Sequence, residues 1–305
     1  MTGSFLAIGE CMVELADAGD GLYRRGFAGD TFNTAWYARR LLPPEWCVSY
    51  ASAIGTDAIS LEMRDFFEAQ GIETSALREV EDRTVGLYMI SLDKGERSFS
   101  YWRNQSAAKT LADDPAWLAA TLSRHDVLYF SGITLAILTP QARLRLCNAI
   151  RAARADGAMV AFDTNLRPRL WEDTATMQDG MRLGASVADV ILPSFDEETV
   201  LFGDASPVDT ITRYRDCGAR IVAVKNGEAD LTLWDAEGTR HLQANPVSNV
   251  IDTTAAGDSF GAGFMAGFAT GESCDQAAQN AMSLAAQVIQ ARGALVPGIF
   301  DETTS

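Results

Sequence analysis

Short runs of apolar residues alternate along the chain with segments whose apolar positions recur at helical spacing. The runs that fit buried strands cover residues 125–131, 159–162, 190–192 and 220–224. Between the first two runs, Thr139 and Pro140 predict the N-cap and first turn of a helix, and Gly157 predicts its end. Because parallel strands need crossovers and are covered on both faces, this alternation predicts a Rossmann-like, three-layer α/β/α domain with a mainly parallel central sheet.

Two regions interrupt the alternation, at residues 11–27 and 85–103. In both, polar and apolar residues alternate in short stretches joined by turn-forming residues, at 18–21 and 93–96. A lone hairpin is marginally stable, so we expect the two regions to pair into one small sheet. Since ligands of α/β proteins bind at the carboxyl ends of the strands, we expect this sheet to be a lid there. Residues 1–305 are thus predicted to form one domain with a β lid.

The charge of the protein limits its expected partners. Its 305 residues include 41 acidic and 25 basic ones, a formal net charge of −16. Such a charge disfavours nucleic acid and anionic membranes as partners, although a small anionic ligand can still bind where the local charge is positive. The most apolar window, residues 260–269, is too short to cross a bilayer, and no basic leader precedes the first apolar run. We therefore expect a cytoplasmic protein with small-molecule partners.

Cysteine and histidine contribute little to the expected chemistry. The five cysteines contain no CxxC pair, which is typical of reduced thiols, and the two histidines have no second ligand at helical spacing. Zinc hydrolases and Ser–His–Asp hydrolases are therefore poor candidates. Gly261, Gly263 and Ala266 match a dinucleotide-binding glycine pattern, but they lie inside a predicted helix, so we interpret them as packing residues.

The segment DTTAAGDSF, residues 252–260, carries the strongest chemical signal. Because a helix of small residues, 259–269, follows it, Ala255, Ala256 and Gly257 lie where N–H groups of a helix N-terminus are free. Those groups and the helix dipole can hold a phosphate or a developing oxyanion. Asp258 lies in the first turn, where the dipole favours the ionised carboxylate that a base for a hydroxyl proton needs.

This segment and AGDTFN, residues 28–33, resemble the two signatures of the ribokinase-like (phosphofructokinase-B type) sugar kinases. Further segments follow in the family's order along essentially the whole chain, namely GECMVEL, AIGTDAIS, SGITLAIL, DTNLRPRLW and KNGEAD. Within the family, GLY, YWRN, SGITLAIL and NLRPRLW look most like segments of 2-keto-3-deoxygluconate kinases. The resemblance implies ATP-dependent phosphorylation of that sugar acid at its terminal 6-hydroxyl, with Mg²⁺ as cofactor.

The resemblance also implies roles for residues of the nucleotide and phosphate site. Asp258 would be the catalytic base, and Ala255, Ala256 and Gly257 would form the anion hole. Glu197 would act on Mg²⁺ through water. The residues that would contact the nucleotide are Asn165, Ser194, Lys225 and Gly227.

Two positions depart from the family's pattern. Ser194 stands where relatives often have asparagine, and Asp230 replaces the last glycine of the turn that Lys225 opens. The resemblance is compatible with a monovalent cation near Asp252 and Thr254. It also implies a homo-oligomer, a dimer or larger, because lid sheets in this family often pair between subunits.

A glycine-containing turn is the first candidate site for the sugar. Gly29, Asp30 and Asn33 lie in this turn, which enters a predicted helix at residues 34–40. Glycine lets the backbone approach a sugar closely, and the two side chains supply an acceptor and a donor for its hydroxyls.

Aromatic and arginine side chains form a second candidate set. Tyr88, Tyr101 and Arg103 lie on the predicted lid strands, and Arg167 follows a predicted strand end. Tyr101 and Arg103 are two residues apart and therefore share one face. Two arginines aimed at one pocket fit a carboxylate, which arginine binds through two parallel hydrogen bonds, whereas a neutral sugar gives no reason for them. These residues predict a sugar acid independently of the resemblance.

Alternatives remain open at this point. A fructokinase- or ribokinase-type enzyme for a neutral sugar would have the same fold, and a nucleoside kinase is a more distant candidate. A non-catalytic sugar-binding sensor would also have this fold, although the intact Gly257 and Asp258 argue against it.

Overall fold

Strands and helices alternate along most of the chain. In the computed structural model, which describes residues 2–93, 96–244 and 246–301, the strands are β1 (Ser4–Ile8), β2 (Met12–Gly19), β3 (Leu22–Ala28), β4 (Cys47–Gly55), β5 (Leu77–Val80), β6 (Gly86–Asp93), β7 (Glu96–Trp102), β8 (Val127–Ser131), β9 (Met159–Asp163), β10 (Val190–Ile191), β11 (Ile221–Val224), β12 (Leu231–Asp235) and β13 (Gly238–Leu242). The α-helices are α1 (Asp30–Leu41), α2 (Ala58–Ala69), α3 (Pro115–Leu122), α4 (Gly132–Ala136), α5 (Pro140–Ala155), α6 (Thr174–Ala185), α7 (Phe195–Phe202), α8 (Pro207–Asp216), α9 (Ala256–Ala269) and α10 (Cys274–Val288). Short 3₁₀ helices cover Ala107–Thr110, Pro168–Leu170 and Pro297–Ile299.

The main sheet has the strand order β13-β12-β11-β10-β9-β8-β1-β4-β5. Neighbours from β11 to β5 pair in parallel, and β12 and β13 add antiparallel strands at one edge. Successive residues of a central strand face opposite layers. Phe5 and Ala7 pack with α1, α2, α9 and α10, whereas Leu6 and Ile8 pack with α3 to α8. The predicted three-layer, mainly parallel α/β/α architecture is confirmed.

A smaller sheet has the order β3-β2-β6-β7. β2 pairs antiparallel with β3 and parallel with β6, and β6 pairs antiparallel with β7. The small sheet predicted from the two interrupting regions is therefore present, while residues 94 and 95 of the predicted second turn lie outside the described residues. Met12 and Tyr88 of this sheet pack with Ala255 and Ala294. Its inner face thus meets the start of α9.

Two helices that position the site begin earlier than predicted. α1 begins at Asp30 instead of residue 34, and α9 begins at Ala256 instead of residue 259. The N-cap residues are Gly29 and Ala255, and neither offers a side-chain cap. Because sequence reasoning locates a helix start by a capping Ser, Thr, Asp or Asn, both starts were predicted too late.

The helices also bear on two further interpretations of the sequence. A Cβ at Gly261 would lie 2.4 Å from the Tyr129 hydroxyl oxygen, and one at Gly263 would lie 2.9 Å from the Ala281 Cα. These glycines therefore serve close packing, as expected. In the part of the chain that the structure describes, no helix has the length and apolarity needed to cross a membrane.

Candidate active site

The candidate site lies at the carboxyl edge of the main sheet. Polar residues end or follow several of its parallel strands: Glu10 after β1, Ser131 at the end of β8, Asp163 at the end of β9 and Lys225 after β11. Because these strands are parallel, all these residues lie at one edge. The N-terminus of α9 reaches the same edge, since Asp258 in its first turn bonds Asn33 of α1.

Asp258 is a buried carboxylate with few compensating charges. Its Oδ2 accepts a 2.7 Å hydrogen bond from Asn33 Nδ2, and its backbone carbonyl accepts one of 3.2 Å from the Thr34 hydroxyl. Burial raises the pKa of Asp258 well above its usual value, the charge of Asp30 raises that pKa further, and the Asn33 bond lowers it. The helix dipole favours ionisation, as expected, but burial outweighs it. A raised pKa makes the carboxylate a stronger base.

The backbone before Asp258 is shaped as a cradle for an anion. Ala255 has a left-handed conformation, with φ 61° and ψ 15°, and α9 begins directly after it. The first N–H groups of a helix lack intrahelical partners and point along the dipole. At Gly257 an added Cβ would have one neighbour within 4 Å, the Lys225 ammonium nitrogen at 3.5 Å. Open space beside a cation and a helix N-terminus suits a phosphate.

Asp30 holds the centre of a hydrogen-bond network. Its Oδ2 accepts from the Ser131 hydroxyl at 2.5 Å and from Asn165 Nδ2 at 3.0 Å. Burial raises the pKa of Asp30, and the hydrogen bond from Ser131 partly offsets this by lowering the pKa. Gly29 directly precedes Asp30. A Cβ added to Gly29 would lie 2.2 Å from the Glu10 carbonyl oxygen, so a larger residue does not fit there without a backbone shift. Asn165, expected at the nucleotide, contacts the candidate sugar site in this structure.

Lys225 and Glu197 each have a protein partner. Lys225 Nζ donates to Asp163 at 3.0 Å, and Glu197 accepts from the Leu166 N–H and from Arg167 Nη1, both at 3.0 Å. Burial raises the pKa of Glu197, while the Leu166 bond and the Arg167 charge lower it. The carboxyl edge thus holds these two ion pairs, and the Lys225 ammonium group of one lies beside the start of α9.

The other residues expected at the nucleotide lie after two neighbouring strands, Ser194 after β10 and Gly227 in the turn after β11. Ser194 forms a parallel bridge with Lys225, and its side chain makes no capping bond to α7. Gly227 has φ 56°, a left-handed conformation that favours glycine, and is exposed. Asp230, which departs from the family's pattern, is also exposed on this turn.

Tyr88, Tyr101 and Arg103 lie close together at the small sheet. Tyr88 and Tyr101 are directly opposed on β6 and β7 with ring centroids 5.9 Å apart, and the Arg103 guanidinium lies 5.9 Å from the Tyr101 ring. Tyr88 is buried and donates its hydroxyl hydrogen bond to Glu14, whereas Tyr101 is half-exposed. The expected shared face of Tyr101 and Arg103 is present.

Both arginines that were expected to face a carboxylate already have one in the protein. Arg103 is buried and donates to Glu10, and Arg167 is half-exposed and donates to Glu197. The spacing of the two arginines in the sequence does not reveal these partners. Arginine offers five N–H donors, so pairing leaves others for a ligand.

Three polar residues of this edge were not named as candidates from the sequence: Glu10, Ser131 and Asp163. Each belongs to a segment that carried the family resemblance, and each lies at or just after the end of a predicted or observed strand. The rule that ligands bind beyond the carboxyl ends of parallel strands would have selected them.

Comparison with known proteins gives the family. The model of the pfkB family carbohydrate kinases matches residues 4–298, nearly the whole chain. This chain belongs to the pfkB family of carbohydrate kinases. The 2-dehydro-3-deoxygluconokinase of Escherichia coli (strain K12) is 41% identical over 97% of this chain and 98% of its own length. The enzyme of that name from Dickeya dadantii (strain 3937) is 38% identical over 97% of both chains.

A solved structure supports the fold of this family member. The PfkB protein from Polaromonas sp. JS666 has a TM-score of 0.84 and 26% identity, and the match covers 99% of this chain and 100% of that one. The fold class and the sugar-kinase resemblance expected from the sequence are therefore confirmed.

Proposed function

We propose that this pfkB-family kinase phosphorylates 2-keto-3-deoxygluconate with ATP at the terminal 6-hydroxyl. The observation that carries the substrate is the 41% identity, over nearly the full length of both chains, to an E. coli protein named 2-dehydro-3-deoxygluconokinase. The buried carboxylate of Asp258 beside the start of α9 supports the reaction type.

In the proposed reaction, Asp258 removes the proton from the 6-hydroxyl. The freed oxygen attacks the γ-phosphorus of ATP, the bond from that phosphorus to the β-γ bridging oxygen breaks, and ADP leaves. Asn33 orients the base through its 2.7 Å hydrogen bond. Asp30 would accept hydrogen bonds from the sugar's hydroxyls, and Gly29 would let the protein backbone approach the sugar closely.

The γ-phosphate would lie against Ala255, Ala256 and Gly257, with Lys225 beside it. Phosphoryl transfer needs placement and charge neutralisation more than covalent help, and a helix N-terminus plus an ammonium group supplies both. Ser194, after β10, and Gly227, on the turn after β11, would line the nucleotide site.

Glu197 fits a magnesium contact made through water. In the described ranges of the chain, no group of three or more His, Cys, Asp or Glu side chains is arranged to hold a metal by itself. Mg²⁺ commonly keeps several waters and binds substrate phosphates with one or two carboxylates, and the Glu197 side chain is 27% exposed at this edge. When bound with ATP, Mg²⁺ would neutralise charge on the phosphates.

The carboxylate of the sugar acid would bind between the lid and the main sheet. Arg103, Arg167 and Tyr88 are the proposed contacts, and Tyr101 would cover the ligand from the small sheet, which we propose acts as a lid. Arg103 keeps N–H donors besides the one that contacts Glu10.

A substrate panel tests the proposal. We expect ADP release with 2-keto-3-deoxygluconate to exceed that with fructose, ribose and a nucleoside by at least ~100-fold in kcat/KM, because a site built for a polar group rejects analogues that lack it. Equal or better turnover of a neutral sugar would refute the sugar-acid assignment. Absence of turnover with every member of the panel would instead favour a sugar-binding sensor.

The second candidate is a kinase of a neutral sugar. The observation that favours it is the pairing of Arg103 with Glu10 and of Arg167 with Glu197, which balances both cations without a ligand. Arg103→Ala separates the two candidates. A sugar acid predicts a KM increase of roughly tenfold or more, the scale of a lost charge-assisted hydrogen bond, whereas a neutral sugar predicts little change.

Two further proposals concern assembly and ions. We propose that copies of the chain associate through the small sheet, where Leu22 and Trp102 are 67% and 58% exposed; light scattering after size exclusion tests this.

We also propose a monovalent cation at the loop of Asp252 and Thr254, where Asp252 accepts N–H bonds from Thr254 and Gly293. Comparing activity in potassium and in tetramethylammonium chloride tests the second proposal.

A further inference from the structure

Glu10, which has no role in the proposed reaction, forms a buried ion pair with Arg103. It follows β1 at the carboxyl edge, and its carboxylate accepts from Arg103 Nη2. The exposed fractions of the two side chains are 1% for Glu10 and 9% for Arg103. The pair is not fully satisfied, because Glu10 Oε1 and Arg103 Nε are buried without a hydrogen-bond partner.

Stability by itself is a poor explanation for such a pair. Removing two charges from water offsets most of their attraction, and apolar side chains of similar size often stabilise a protein as well or better. What a buried pair does supply is a fixed geometry. With its carboxylate partner in place, the Arg103 guanidinium has one orientation instead of many.

Glu10 is also the point at which the main sheet meets the small sheet. A Cβ added to Gly29 would lie 2.2 Å from the Glu10 carbonyl oxygen, and a Cβ added to Gly86 would lie 2.9 Å from Glu10 Oε1. The same Gly86 position would contact Arg103 Cβ at 3.2 Å. Gly86 opens β6, and Arg103 directly follows β7, so the Glu10 carboxylate lies at the ends of both strands while the Glu10 backbone lies against the sugar turn.

From this junction we infer that Glu10 is a positioning residue that orients Arg103 to bind the carboxylate of the sugar acid. The inference rests on the proposed function and names how that site obtains its selectivity. Because Glu10 neutralises Arg103, the pair exerts little long-range attraction on anions in general. Recognition then depends on the remaining N–H donors of a guanidinium held in place, which match a planar carboxylate.

Binding of 2-keto-3-deoxygluconate without ATP, measured by calorimetry, tests the inference on four variants: Glu10→Gln, Arg103→Gln, the double variant and Asp235→Asn. The last is a control, since it breaks a less buried ion pair, with Arg240, at the opposite edge of the main sheet. We expect Glu10→Gln to raise Kd roughly tenfold, because an amide loses the charge assistance that orients Arg103. In the Arg103→Gln background, the same change should alter Kd less than about twofold. Asp235→Asn should leave Kd unchanged.

Several results would overturn the inference. An unchanged Kd in Glu10→Gln, alongside a raised Kd in Arg103→Gln, would mean that Glu10 does not orient the arginine. A lowered Kd would mean that Glu10 withholds charge from the ligand. Equal, additive effects in the double variant would mean that Glu10 acts independently of Arg103. Failure of the proposed function has a different signature, namely wild-type protein that binds fructose as well as the sugar acid.

A second variant covers the case in which Glu10→Gln does not fold. Gly86→Ala leaves both charges in place but inserts a methyl group 2.9 Å from Glu10 Oε1 and 3.2 Å from Arg103 Cβ. We expect a raised Kd for the sugar acid together with an unchanged KM for ATP. An unchanged Kd in a folded Gly86→Ala protein would count against the inference.

Discussion

Asp235 and Asp189 at the amino edge of the main sheet are paired with arginines, whereas the Asp258 carboxylate at the carboxyl edge is bonded by the neutral Asn33 amide. At the amino edge, Asp235 accepts two 2.7 Å bonds from Arg240, and the pKa of Asp235 is lowered to about 2, chiefly by those bonds. Asp189 at the same edge accepts from Arg154 and from the Val160 N–H. At the carboxyl edge, burial raises the pKa of Asp258 well above its usual value.

Acids that stabilise the fold thus differ from acids available for catalysis in how completely they are paired. A carboxylate that is paired in the folded state favours folding, whereas a buried carboxylate with too few partners opposes it while ionised. The carboxyl edge has the second kind, in Asp30 and Asp258, next to a cradle of N–H groups and Lys225. Raised carboxyl pKa values at such an edge are typical of functional sites.

We expect the largest effect on activity from a substitution of Asp258, the buried acid proposed as the base. Asp258→Asn should keep the fold, because an amide can still accept the Asn33 hydrogen bond, and should lower kcat at least ~100-fold, the usual scale for a positioned base. Steady-state kinetics with 2-keto-3-deoxygluconate measures this. Near-full turnover by the variant would remove Asp258 from the mechanism.

The same substitution should stabilise the protein at high pH. Asp258 has a pKa above its unfolded value, so at any pH above the unfolded value folding must either protonate this carboxyl or bury its charge, and the neutral amide avoids that cost. We expect a gain of roughly 2 kcal/mol at pH 8, the scale of an incompletely compensated buried polar group, that fades as the pH falls towards ~4. Thermal unfolding of both proteins across this range tests the sign. A lower Tm for the variant at pH 8 would contradict it.

The acid at the amino edge should respond in the opposite direction and by a smaller amount. The folded pKa of Asp235 lies below its unfolded value, so its stabilisation is present at neutral pH and is lost as the pH falls from about 4 to about 2. Asp235→Asn should therefore lower stability at pH 7 by about 1–2 kcal/mol, with kcat unchanged. Urea unfolding and the coupled kinase assay measure the two quantities. A fall in kcat without loss of stability would break the distinction between the edges.

Much of the fold follows from local patterns. The apolar run before Ser131 and the Thr139–Pro140 start of α5 are local signals, and both elements are present. Helix starts without a capping side chain, at Gly29 and Ala255, were predicted three or more residues late. Such starts leave no capping residue in the sequence to mark them.

The site was predictable as a set of residues but not as a set of contacts. The position of Asp258 before a small-residue helix indicated a base, and its neighbours indicated an anion hole. That Asn165 would contact Asp30, 135 residues away, or that Arg103 would pair with Glu10, 93 residues away, depends on how the strands are ordered in the sheet. Local spacing carries no information on such pairs.

The sequence by itself therefore determined the architecture, the family and the residue types of the site, because periodicity, turn residues and signature segments are all local properties of the chain. Only the tertiary structure decided which charges are balanced. Burial is a property of the packed molecule, and it turns Asp258 from a dipole-favoured anion into a carboxylate with a raised pKa. It also turns Arg103 from a free cation into half of a buried pair.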